Sequence, residues 1–339
     1  VPIPGTGAVP TGAIYNELTS TTRRAFIPRL VVQIYNATPC FFYMMGNAQK
    51  VAGGLSQITA PIQGNSMVQG QFTGFGGGFN QPNYIPGIQN AQWNTCYWVV
   101  PVPLFFGETV IQATEREISI LEARMNDVYA VSVQNLAPLM FGASTGPLVP
   151  NGFADAFDNG VNYPQYGGIN RLTAGNSSWK GQYYNASSLT GGFTRKVMSQ
   201  YIIQITANAG GEVPTFGVMN PGDFSTLNSD FIGVEQIFTR PGTEYSISTP
   251  IRSSFPNVNV AGVPIFADYF CPKGTAYFIN CKYTSFHMSE DAAFDFSGFY
   301  SLVPLGQIGQ QGVVVLGYNI ITTKPSANAI VTGFGGSAF

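Results

Sequence analysis

Apolar and polar positions follow two different periods along this chain, and in long stretches no period at all. Ile111, Ile118, Leu121, Met125 and Val128 recur at helical spacing within residues 107–137, which predicts one long amphipathic helix. Glu115, Arg116, Glu117, Glu122 and Arg124 take most of the other positions. Gly107 precedes this helix, and Pro138 is expected to end it, because proline interrupts the backbone ladder. Weaker helical patterns cover 192–210 and GDFSTLNSDFIGVEQIF. Strand character marks CYWVVPVPLFF at 96–106, where Pro101 and Pro103 argue for an edge or an irregular end. TFGVMNP and the stretch SISTPIRSSFPNVNVAGVPIFAD also read as strand. TAYFINCKYTSFHM and GVVVLGYNIITTKP are long β-branched and aromatic runs. They are expected to pair with 96–106 and form a sheet under the long helix. The first globular part is then discontinuous, with 138–264 inserted in it.

Two segments lack such a pattern. Residues 1–25 begin VPIPGTGAVPTG and read as an extended arm with little to bury. Ser20, Thr21 or Thr22 are candidate caps for a short helix after it, against which Pro28 and several β-branched residues count. Residues 46–95 are rich in Gly, Gln and Asn, with patchy alternation and frequent breakers. They predict a long excursion containing two weak strands. A two-stranded ribbon is marginal alone, so this one is expected to lie on a neighbouring subunit and to bury little against its own chain.

Composition sharpens this picture. Only 9% of the 339 residues are charged and the formal net charge is −2, against about 25% charged residues in an ordinary soluble domain. A surface so poor in charge permits association. The length exceeds the roughly 250–300 residues at which one core stops growing. No apolar run reaches the roughly 18 residues of a membrane helix, so no membrane partner is expected. The start has neither the basic region nor the apolar core of a signal peptide. Val1 is not Met, so an initiator or a longer leader is expected to be missing from this sequence. With 15 basic residues against 17 acidic ones, the chain lacks the positive charge that DNA binding needs.

Candidate chemistry is sparse. Cys40, Cys96, Cys271 and Cys281 fit neither a zinc ribbon nor a redox pair and read as buried thiols. His287 is the single histidine, with no nucleophile assigned to it, and reads as a strand residue. Glu290, Asp291 and Asp295 read as a wet loop. GFGGGF at 74–79 lacks the Lys-Ser/Thr end of a phosphate loop. It reads as a ribbon tip, with Phe75 and Gly76 as candidate contacts. YGGINR at 166–171 is either a plain tight turn or an element that aims Arg171 at a neighbour. Asn176 and Asn185 sit in N-x-Ser patterns, read as coincidence. No catalytic, cofactor or metal residue is assigned.

The order of arm, long loop, strand, spine-like helix, inserted domain and returning strands resembles the major capsid proteins of tailed bacteriophages, whose fold herpesviruses share. TRRAFIPRL, WNTCYW, YGGINR with its following Trp, VPIFADYFCPKGTAYFINCKY and VVVLGYNIITTKPSANAIVTGF resemble segments typical of these proteins. The resemblance implies an α+β fold: an arm at 1–45, an extended β-ribbon loop at 46–98, and a peripheral domain with the spine helix at 99–137 and 265–330. An axial domain at 138–264 and a tail at 331–339 complete it. It implies a structural protein, not an enzyme, and no cofactor. The protein would assemble through hexamers and pentamers into an icosahedral shell around double-stranded DNA. Implied partners are further copies of the chain, a portal protein at one vertex, scaffolding protein, cement or decoration proteins, and packaged DNA without specific binding. The implied location is the virion, assembled in a bacterial cytoplasm. Some relatives carry an N-terminal scaffolding segment that a protease removes, so the resemblance implies that such a segment was cut off here or that scaffolding is a separate protein. Arg23 and Arg24 are expected to meet carboxylates such as Glu115 or Glu122 on a neighbouring spine helix. Some relatives cross-link a loop lysine to an asparagine of a neighbour, and Lys50 is the single lysine between residues 1 and 179. An encapsulin-like compartment protein and a secreted β-rich adhesin are the alternatives.

Overall fold

The computed structural model describes residues 38–51, 57–63, 72–77, 88–105, 114–173, 175–187, 194–238, 257–305, 307 and 309–333. The last long β-branched run forms strand β14 (Gly309–Thr322), which organises the first sheet. It pairs antiparallel with β12 (Thr284–Phe296), β13 (Tyr300–Ser301) and β4 (Cys96–Phe105). A short strand, β1 (Gln49–Val51), adds parallel to β12. Val314, Leu316, Tyr318 and Ile320 alternate into the core, as a strand's period of two requires. The Tyr318 ring stacks on Phe286 with centroids 4.9 Å apart. Helix α1 (Pro39–Gly46) adds Phe41 and Met44 to the same core. On β12 the register slips between Met288 and Ala293. Glu290, Asp291 and Asp295 are exposed there, on an irregular strand and not on a loop.

The long helix is α2 (Thr114–Phe141). Met125, Val128, Ser132, Leu136 and Met140 are buried at intervals of three and four. The side chains of Glu115, Ile118 and Leu121 and all of Ile111 lie outside the described residues. Pro138 does not end the helix. It sits inside the last turn, where the chain continues because Met140 and Phe141 are buried in the core. Pro138 removes only one ladder bond, and its own carbonyl accepts from Gly142 N at 3.2 Å.

A second sheet has six strands in the order β7 (Gln182–Asn185), β15 (Ala329–Thr332), β11 (Ala276–Ile279), β8 (Phe216–Met219), β10 (Val263–Ala267), β9 (Asn257–Val260). Helices α4 (Arg195–Asn208) and α5 (Pro221–Phe238) match the two weaker helical patterns. Their Met198, Ile202, Ile205, Phe224 and Leu227 pack with Met219, Ile265, Phe278 and Val331. The opposite face of this sheet presents Phe216, Val218, Tyr277, Ile279 and Ile330 to the core shared with the first sheet.

The strands of 265–330 therefore divide. Those at 284–296 and 309–322 share a sheet with 96–105, as expected, whereas 276–279 and 329–332 lie in the second sheet. The run TAYFINCKYTSFHM breaks at Asn280, whose Oδ1 accepts from Lys282 N at 3.0 Å and whose carbonyl accepts from Thr284 N at 2.9 Å. That turn moves the chain from one sheet to the other. No helix among the described residues is long and apolar enough to cross a membrane.

Candidate assembly surface and ribbon junction

The Gly-rich excursion contains a true ribbon. Strand β2 (Gln57–Gln63) pairs antiparallel with β3 (Ile88–Asn94), Ala60 opposite Ala91. Between them in sequence, Gly74–Gly77 form a turn closed by Gly77 N donating to Gly74 O at 2.9 Å. Gly76 has φ +79°, a conformation that favours glycine. Phe72 and Phe75 on this turn are completely exposed, at 109% and 114% of their reference areas. Among the described residues nothing covers these two rings.

The base of the ribbon behaves otherwise, and the expectation that the excursion buries little against its own chain fails there. Ala91 and Trp93 are buried. The Trp93 ring meets Tyr166 at 5.6 Å and Trp179 at 6.3 Å between centroids. Gln92 N donates to Gly167 O at 2.9 Å, and Gln89 Nε2 to Asn176 Oδ1 at 3.3 Å. Breakers made the segment look bare, but one face of β3 carries Ala91 and Trp93, and the 166–179 segment covers both.

That covering segment is the YGGINR turn, with β5 (Gln165–Tyr166) and β6 (Ile169–Asn170) as its arms. Gly167 has φ +59°, and a Cβ there would come within 3.0 Å of Ala91 and Trp93. Close approach and backbone angle both demand glycine. Tyr166 is buried; its hydroxyl accepts from Thr322 N at 3.0 Å and its carbonyl from Trp179 Nε1 at 3.0 Å. The turn is thus bonded to the ribbon on one side and to β14 on the other.

Arg171 is not available to a neighbour. It is 0% exposed, and its guanidinium donates to Asp155 O and Ala156 O, both at 2.7 Å. Those carbonyls end the short helix α3 (Phe153–Ala156), where backbone acceptors lack helical partners. The guanidinium also lies 4.8 Å from the centre of the Tyr166 ring. Burial lowers its pKa, opposed by Tyr166, Asp158 and Asp155. Of the remaining candidate contacts, Phe75 and Gly76 lie on the exposed turn. Glu122 is half-buried on α2, and Arg23 and Arg24 fall outside the described residues.

Sequence reasoning missed the residue at the centre of the junction. Asn319 lies near the C-terminal end of β14 and is 1% exposed. Its Nδ2 donates to Asn94 O at 2.6 Å and to Asn151 Oδ1 at 3.2 Å. Its Oδ1 accepts from Asn151 N at 2.9 Å and from Ile320 N at 2.8 Å. Asn151 Nδ2 passes the network on to Asp155 Oδ2 at 2.6 Å. Burial raises the Asp155 pKa against the hydrogen bonds from Asn151, Gly152 and Ser144. Beside this network lies a cavity of about 410 Å³, lined among others by Trp93, Asn94, Cys96, Asn151, Tyr166 and Asn319. The available signal was one amide inside the apolar run VVVLGYNII.

The other chemical candidates stay within the fold. His287 Nε2 and Ser285 Oγ are 2.9 Å apart, and burial lowers the histidine pKa. Cys40, Cys96 and Cys271 are buried and Cys281 half-buried, all as free thiols. Asn176 is 8% exposed, and its amide donates to Asn170 O at 2.8 Å. Among the described residues no group of three or more metal-ligating side chains is placed to hold an ion.

No family model matches the sequence, and no curated protein does. Solved structures do. The chain is similar to the capsid subunit of cyanophage A-1(L), with a TM-score of 0.60 at 12% identity over 86% of this chain and 92% of that one. It is similar to the SrpI encapsulin of Synechococcus elongatus PCC 7942, with a TM-score of 0.54 at 10% identity over 89% and 91%. The capsid protein of a native GTA particle gives 0.51 at 12% identity over 85% and 89%. The fold is the α+β major capsid fold of tailed phages, which the encapsulin shares.

Proposed function

We propose that this chain is the major shell subunit of a tailed phage, assembling through hexamers and pentamers into an icosahedral capsid around double-stranded DNA. One observation carries the reading. The turn between the ribbon's two strands in sequence leaves Phe72 and Phe75 fully exposed among the described residues. Two exposed aromatic rings on one turn suit a contact made only in an assembly. The low charge content agrees, since neighbours would cover much of the surface. A net charge of −2 suits a wall that encloses DNA without gripping it.

In this reading the first sheet and α2 form the peripheral part, and the second sheet with α4 and α5 forms the axial part. Strands β11 and β15 then belong to the axial part. Portal and scaffolding proteins would be partners, and cement proteins where the lattice exposes a site. The role is structural, and no catalytic activity is expected.

The encapsulin similarity supports a second reading, a cellular compartment shell. Electron microscopy and sedimentation of the purified chain test both. Closed shells are expected. A population of monomers under all assembly conditions would overturn the shell role. DNA-filled particles with a tail vertex, recovered from the native source, would select the phage; tailless shells holding a protein cargo would select the compartment.

A further inference from the structure

The ribbon leaves the body at one corner. Strand β3 ends at Asn94 and β4 begins at Cys96, so Thr95 is where the chain turns from ribbon into sheet. Tyr318 is the last residue of β14 paired with β4, opposite Cys96. Asn319 follows it, just where β4 has peeled away. Its side chain fills the gap that the departing strand leaves and bonds to both sides of it.

Three bodies meet at that amide. Asn94 O belongs to the ribbon, and Asn94 Oδ1 also accepts from Gln57 Nε2 of the opposite ribbon strand at 3.4 Å. Asn151 belongs to the segment that leads from α2 into α3, and it bonds Asn319 through both its backbone and its side chain. Asn319 itself belongs to the first sheet. A side-chain amide is suited to this because it donates and accepts at once. Aspartate would lose the donor, and leucine both functions. Buried polar groups in such a network are costly to leave unpaired.

We propose that Asn319 is a positioning residue that fixes the angle at which the ribbon leaves the subunit, and through that angle the curvature of the assembly. The proposal rests on the shell reading above. The other end of the ribbon, where Gln63 pairs with Ile88, lies six residues along β2 and β3 from the Gln57–Asn94 pair at this corner, so a small rotation at Asn94 becomes a larger displacement there. Subunits without the pin would offer neighbours a range of ribbon angles.

Two variants and two readouts test it. Asn319→Ala removes the whole clasp. Asn151→Ala removes one donor–acceptor partner on a half-buried loop residue and leaves the sheet untouched. Hydrogen exchange in the unassembled chain should show about tenfold or greater loss of protection at Asn151 N and in 57–63 and 88–94 of Asn319→Ala. Strands β8 and β11 should keep theirs. Microscopy of assembled material should show a broadened distribution of particle sizes or open sheets in place of uniform shells. Asn151→Ala should move both readouts in the same direction. Uniform wild-type shells from both variants would overturn the proposal, as would unchanged exchange in the ribbon. If Asn319→Ala loses its fold, Asn151→Ala decides; loss of fold in both would make the amide a general stability residue and overturn the proposal. Failure of the wild-type chain to form any shell would defeat the shell reading, whereas the exchange experiment would still decide whether Asn319 pins the ribbon.

Discussion

Replacing Arg171 by methionine probes whether this side chain acts inside the subunit. Methionine keeps most of the length and removes every donor. Two carbonyls at the end of α3, Asp155 O and Ala156 O, would lose partners at 2.7 Å. A buried acceptor left unpaired costs about 1–3 kcal/mol. Against this stands the relief of no longer burying a guanidinium, which is substantial when the charge lacks a direct salt bridge. Burial lowers the arginine pKa, so part of the loss is offset. The net expectation is a destabilisation of about 2–4 kcal/mol. At about 2–4 °C per kcal/mol for a protein somewhat smaller than this one, calorimetry of the unassembled chain should record a melting temperature lower by about 4–16 °C. Arg171→Lys, able to reach one carbonyl but without the planar fork, should fall between. A melting temperature within about 1 °C of wild type for Arg171→Met would refute the argument. A variant of normal stability that failed to form shells would restore the contact to a neighbour that the burial of Arg171 denies.

The ribbon turn gives the converse behaviour: Phe75→Ser should leave the melting temperature of the free chain unchanged and reduce shell yield in sedimentation, and equal yield would remove Phe75 from the assembly contact. Gly312→Ala should destabilise the subunit by about 1–3 kcal/mol through overpacking, because its Cβ would come within 2.4 Å of the Phe296 ring; denaturant titration measures this. His287 has a folded pKa below its ordinary 6.5, so the unfolded chain protonates first. Its contribution is complete above about pH 6.5 and shrinks as pH falls through that value toward the folded pKa. The difference in stability between wild type and His287→Gln should therefore change in wild type's disfavour between about pH 7 and 5, and a pH-independent difference would contradict it.

The parts of the fold that were legible in the sequence are those with a strong local period. Met125 and Val128 lie on the buried side of α2 as their spacing requires, and the apolar runs at 96–105 and 309–322 do pair. What was not legible depends on contacts distant in sequence. Pro138 looked like a stop, but a proline in the last turn costs little when Met140 and Phe141 beyond it enter a core. The ribbon's base looked bare because Trp93 and Ala91 are two apolar positions among Gln and Asn, and only Tyr166 and Trp179 make them a buried face. The YGGINR turn left open whether Arg171 met a neighbour, because nothing local reveals that two carbonyls of α3 converge on it. Asn319 carries no motif; its role arises from where β4 leaves β14.

The order in which strands enter the two sheets bears on how the chain is made. β14 lies between β12 and β4 in one sheet, and β15 lies between β7 and β11 in the other. Both are interior strands, and both come last among the described strands. Phe105 must wait for Gly309, and Gln182 for Ala329. Pairings so distant along the chain form slowly, and translation delays them further. During synthesis β4 stands with an open edge, and neither sheet can close until β14 and β15 have emerged. A polypeptide that stops short of residue 309 lacks the middle of both sheets, so it cannot present a rigid ribbon base or a complete core. In the proposed shell, the fold would thereby check each copy before that copy could join its neighbours, which would matter where one defective tile sits among many sound ones.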